Sequence, residues 1–167
     1  MKKLQTKKSN TGITLITLVI TIVVLLIIAG ITVYEGKETI NRSKLEELRT
    51  NMLLIQAKSK EYVEEANFKI GKSTDETKIA EIRKAIYETE AKLEPATGIS
   101  TSSEIPVSEC YRVTAEAMKQ WGLDKVELKN KEYYLIKFDD SNATVEVYNT
   151  LGYNGRYSLT EIDNIEK

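Results

Sequence analysis

From Ile13 to Val33 no charged side chain interrupts the chain, and the polar positions inside that stretch are threonines and one glycine. At about 1.5 Å per helical residue the run covers roughly 30 Å, the thickness of a bilayer core, so it predicts a transmembrane helix over residues 13–34. A secretory signal would carry an apolar region of only about 7–15 residues and an A-x-A-like site, which Ala29-Gly30-Ile31 fits poorly. Beyond Tyr34 the period changes. From Leu45 the apolar or small residues fall at Leu48, Met52, Ile55, Ser59, Tyr62 and Ala66, in alternating steps of three and four, while Glu46, Glu47, Arg49, Lys58, Lys60, Glu61, Glu64 and Glu65 lie off the stripe. That spacing predicts that residues 35–70 extend the same helix and bury one face.

Gly71 reads as the helix stop, with Ser73, Thr74 or Asp75 capping the next helix. Residues 71–167 then make a globular head. Within it the pattern predicts a helix over 76–93 with Ile79, Ile82, Ile86 and Leu93 on one face, and a loop over 94–107, which holds both prolines. A second helix is expected over 108–121, capped by Ser108 and closed by Gly122. The last third alternates with period two. "EYYLIKF" (132–138) and "ATVEVY" (143–148) read as a hairpin around Asp139-Asp140-Ser141-Asn142, with Tyr134, Ile136 and Phe138 sharing a face. Val126 and Leu128 suggest a third strand, and Tyr157 to Ile162 a short closing one after the Gly152–Gly155 turn, so strands are expected within 125–162. The fold class that results is α+β: a long N-terminal helix packed on a small antiparallel sheet, with two extra helices.

Charge orients this layout. The formal net charge is -1, but Lys2, Lys3, Lys7 and Lys8 all precede the apolar run; with them set aside, 20 basic side chains face 25 acidic ones. By the positive-inside rule the lysines hold the amino end in the cytoplasm and the head lies outside. A net acidic body without a basic patch argues against nucleic-acid binding. The sequence has no histidine and one cysteine, Cys110, so Ser-His-Asp and Cys-His catalysis, the usual zinc sets and an internal disulfide are excluded. Cys110 reads as a small packing residue. Asp139, Asp140 and Asn142 offer oxygen ligands for calcium, but their spacing fits no EF-hand and turn chemistry accounts for them, so no metal or other cofactor is expected.

The amino-terminal arrangement is more particular than an anchor requires. A lysine-bearing leader, residues 1–12, ends in Gly12; Ile13-Thr14-Leu15-Ile16 comes next, and the apolar helix starts at that junction without a spacer. This resembles the prepilin-type cleavage and methylation motif of type IV pilins and type II secretion pseudopilins. The resemblance implies that a membrane-embedded prepilin peptidase cuts after Gly12 and methylates Ile13. The anchored subunit would then be drawn into a filament with other pilin-like subunits by an assembly platform. Thr17 stands where the family carries a glutamate that neutralises a neighbour's terminal amine. Threonine inserts cheaply into lipid and accepts a hydrogen bond, but it cancels no charge. In this it is similar to minor subunits and to pilin-like proteins of Gram-positive bacteria, which the tail "VYNTLGYNGRYSLTEI" also resembles. Thr14, Thr17 and Thr21 share one helix face.

The expectation is therefore a single-pass structural subunit of the cell membrane, not an enzyme, serving as a minor component of a pilus or secretion-like pseudopilus. A membrane-anchored binding module that never assembles is the alternative. An extracytoplasmic enzyme lacks any convergent catalytic set. No sortase-type wall-anchoring motif is present.

Overall fold

A computed structural model describes residues 11–140 and 142–165, with side chains placed at 18–26, 39–140 and 142–165. The first helix, α1, runs Thr11–Ile70. Packing divides the chain into two units, Met1–Ser43 and Lys44–Lys167. The second holds α2 (Glu76–Lys84) with a π-helical continuation (Ala85–Glu90), β1 (Leu93–Pro95), a 3-10 turn (Val107–Glu109), β2 (Cys110–Val113) and α3 (Ala115–Gln120), then β3 (Tyr134–Asp139), β4 (Thr144–Tyr153), β5 (Arg156–Ser158) and α4 (Leu159–Asp163). The strands form one antiparallel sheet in the order β1-β2-β3-β4-β5. The fold is α+β.

The stripe on α1 does what its period demands. Leu45, Leu48, Met52, Ile55, Ser59 and Ala66 are buried as expected, while Tyr62 is only half-buried and Val63 beside it takes the buried position; the apolar ones share a core with Tyr134, Ile136, Val145 and Val147 of the sheet. Ser59 turns its hydroxyl onto the Ile55 carbonyl at 2.7 Å, so no polar atom is stranded at the contact. Gln56 Nε2 donates to the Val145 carbonyl at 2.9 Å. Along β3 the side chains alternate: Tyr134 and Ile136 enter the α1 core with Phe138 packed against it, whereas Leu135 enters a second cluster with Ala96, Ile105 and Cys110. Both faces of this strand are therefore covered, one by α1 and the other by the segment after β1.

The hairpin falls where the alternation places it, with Tyr134 opposite Asn149 and Asp139 opposite Thr144. β4 runs past its expected end and bulges between Tyr148 and Tyr153 against β5. Gly152 sits in that irregularity at φ +59°, and a Cβ there would lie 2.2 Å from the Arg156 carbonyl oxygen, so glycine is required on two counts.

Several expectations are corrected. The helix expected over 76–93 ends at the π-helical segment; Lys92 adopts φ 58°, reversing the chain so that Leu93 enters β1. The helix expected over 108–121 begins only at Ala115, capped by Thr114 and not Ser108. Cys110–Val113 is a strand whose backbone pairs with β1 on one side and β3 on the other, and its aromatic and β-branched residues suit that role. Gly122 does close this helix: it donates to the Lys119 carbonyl and Leu123 to that of Met118, the double bond of a Schellman end. Val126 and Leu128 form no strand; Val126 turns back onto Leu123 and packs half-buried against the core, while Leu128 is exposed. The closing strand stops at Ser158. There Ser158 and Glu161 form a capping box that starts α4.

Candidate functional site

The described part of α1 runs from Thr11, so the Gly12–Ile13 bond lies in helical backbone. Residues 1–10 of the leader lie outside the described residues, as do the side chains of Ile13, Thr14 and Thr17. The side chains that are placed in the apolar run, Leu18 to Leu26, are all exposed, the apolar ones from 46% at Val24 to 67% at Leu26. Consecutive helical positions are about 100° apart, so this surface is apolar at every azimuth. Such a helix is stable where lipid or other apolar helices cover it. Among the described residues no helix is long and apolar enough to cross a membrane. The described side chains include only part of the span expected at 13–34.

At the β3–β4 turn the oxygens considered as calcium ligands have other partners. Asn142 donates its backbone N–H to Asp139 Oδ1 at 3.3 Å and its side-chain amide to Asp139 Oδ2 at 2.8 Å. Asp140 turns away to α2, where its Oδ2 lies 3.1 Å from Arg83 Nη1 and its Oδ1 accepts from the Tyr87 hydroxyl at 3.3 Å. The two carboxylates thus face different neighbours. Ser141 lies outside the described residues. Among the described residues no group of three or more acidic, Cys or His side chains is placed to hold a metal ion.

Cys110 begins a strand instead of a helix and is buried among Ala96, Ile105 and Leu135. Burial pushes its thiol up to about 11, with Lys137 pulling weakly the other way. The attacking species is the thiolate. The folded protein is therefore expected to resist alkylation near pH 8 and to react only as the pH approaches 11 or on unfolding. Labelling kinetics with iodoacetamide, with and without denaturant, would show this; rapid labelling of the folded chain at pH 8 would contradict the burial.

Arg49 is the residue that its charge places on the wrong side of the pattern. It is 5% exposed. Its Nη2 donates to the carbonyls of Ile162, Asp163 and Ile165 at 3.1, 3.3 and 3.2 Å, its Nη1 to Glu46 Oε1 at 2.8 Å, and its Nε lies 3.2 Å from Asp163 Oδ1. One guanidinium thereby ties the end of α4 to α1 and supplies donors that the last helical carbonyls lack. Comparison with protein-family models, with curated proteins and with solved structures returns no match for this chain.

Proposed function

We propose that the chain is a pilin-like structural subunit, cut after Gly12 and methylated at Ile13 by a prepilin peptidase, then incorporated as a minor component of a type IV pilus or type II secretion-like pseudopilus. The observation that carries this reading is the division of labour along α1. Leu18–Leu26 present apolar surface all round, whereas the part after Leu45 is one-sided and buries its stripe against a sheet. A helix built in this way has one stretch for lipid or for other apolar helices and another for holding a head. The four leader lysines set the direction: the amino end stays in the cytoplasm and residues 71–167 face outward.

Thr17 then takes the place of the family's acidic position without its charge. Incorporation rests on helix packing and hydrogen bonding, which suits low occupancy or a place at the fibre end. The test is the fraction of protein in sheared filaments against the membrane fraction, for wild type, Thr17→Val and Thr17→Glu. Thr17→Val keeps the shape and removes the hydroxyl. It is expected to leave anchoring intact and to lower incorporation by a factor of a few, corresponding to a bond of roughly 0.6 kcal/mol. Thr17→Glu is expected to raise incorporation by meeting a neighbour's terminal amine. If wild type and both variants stay in the membrane fraction while a filament system is active, the chain is an anchored module that does not assemble.

A further inference from the structure

The unit Lys44–Lys167 has an open cleft of about 720 Å³ between α2, with its π-helical continuation, and strands β2 and β3. Aromatic rings line it. Tyr87 lies flat on Phe138, with centroids 3.9 Å apart and planes 9° apart, and Tyr111 meets both edge-on at 5.7 Å. Tyr87 is buried; Tyr111 and Phe138 are only half-buried and border the open space. The irregular π-helical turn that holds Tyr87 is of a kind concentrated at functional sites.

Ion pairs fix the polar side of the cleft. Arg83 is held by Asp140, as described above, and Lys137 Nζ lies 2.5 Å from Glu109 Oε2. The Tyr87 hydroxyl stays protonated as a donor to Asp140, because burial, and then the Asp140 charge, raise its pKa well above the ordinary phenol value. Arg83 Nε is a buried donor without a hydrogen-bond acceptor among the described residues. The cleft is lined by both signs, Glu76, Glu109 and Asp140 with Arg83 and Lys84, so it has no strong field for an anion or a cation. β2 and β3 are interior strands with both neighbours paired, so an added peptide strand finds no edge.

What fits is a neutral polyhydroxylated ring. Its C–H face packs on an aromatic side chain, and its neighbouring hydroxyls bridge the two atoms of a planar carboxylate or guanidinium. The volume lies within the usual range for ligand sites of about 300–1,000 Å³. We propose that this cleft binds a neutral oligosaccharide, with Tyr111 as the platform, held in place by the Tyr87–Phe138 stack, and Arg83 and Asp140 as the hydroxyl contacts. The site is independent of assembly, because it belongs to the head alone.

The test uses the full chain in detergent and three probes, cellotetraose, chitotetraose and maltotetraose, observed by saturation-transfer NMR and titration. Saturable binding of at least one is expected, with the strongest transfer to protons on one ring face. Ala80→Trp fills the cleft from an exposed helical position and is expected to weaken binding about tenfold or more with an unchanged circular dichroism spectrum. Arg83→Gln is expected to weaken it by several fold. No saturable binding of any of the three, or binding indifferent to Ala80→Trp, overturns the proposal.

Discussion

Replacing Gly12 with tryptophan is expected to leave essentially all of the protein as uncut precursor, still inserted in the membrane. On the proposed reading, insertion would depend on the apolar run after Ile13, which the substitution does not touch. Cleavage, on the same reading, would depend on the backbone at the junction itself. There a peptidase would bring its reacting groups against a helical bond of α1, and glycine would help twice. It has no Cβ to obstruct the approach, and it weakens the helical turn that must open by about 1 kcal/mol relative to alanine. Gly12→Ala should accordingly be cut slowly, and Gly12→Trp hardly at all. The measurement is the ratio of precursor to mature chain in membranes of cells with an active prepilin peptidase. Processing of Gly12→Trp at the wild-type rate would show that the junction has no part in cleavage.

Truncating Met52 or Ile55 to alanine is expected to destabilise the head by about 2–4 kcal/mol, lowering its melting temperature by roughly 10 °C. Both side chains are fully buried between α1 and the sheet, and the packed surroundings close such a void only in part. Leu54 and Glu47 are the internal controls. They sit on the same helix but are exposed, Leu54 at 48%, and their alanine variants should stay within about 0.5 kcal/mol of wild type. The compact unit begins at Lys44, so a shortened chain starting at Lys37 should fold in water and serve for the melting experiment. Equal shifts for Ile55→Ala and Glu47→Ala would contradict the packing.

Which parts of the fold are legible in the sequence depends on how far each signal reaches. The α1 stripe is legible because a 3.6-residue period sustained from Leu45 to Ala66 has few other readings. The β3–β4 hairpin is legible for the same reason at period two, and the ends of α1 and α3 because Gly71 and Gly122 adopt the positive φ that stops a helix. β1 and β2 are not. Each is three or four residues long, too short to show a period, and each is specified by a partner far along the chain, as in Leu93 opposite Val113. The charge of Arg49 assigns it outward. Beside Glu46 one turn away, its partners are Asp163 and main-chain carbonyls beyond Leu159, which leave no mark in the residues around it. Asp139 and Asp140 look like a ligand pair when only their oxygens are counted, and the structure separates them by what each one faces. The capping box Ser158-Leu-Thr-Glu161 is written in the sequence, but the β-like Tyr157 beside it masks the signal. Gly12, Ile13 and Thr17 are legible only as a motif, because on the proposed reading the chemistry at those positions would belong to a peptidase and to neighbouring helices and not to the fold of this chain.

The central claim is that the apolar helix is kept while the leader is removed, and the intact mass of the protein extracted from membranes decides it. The account predicts a chain that begins at Ile13 and is one methyl group heavier than the sequence from there on, with peptide mapping placing that group on the Ile13 nitrogen. A chain that retains Met1, or one that starts beyond Ala29 and has lost the apolar helix, would contradict it.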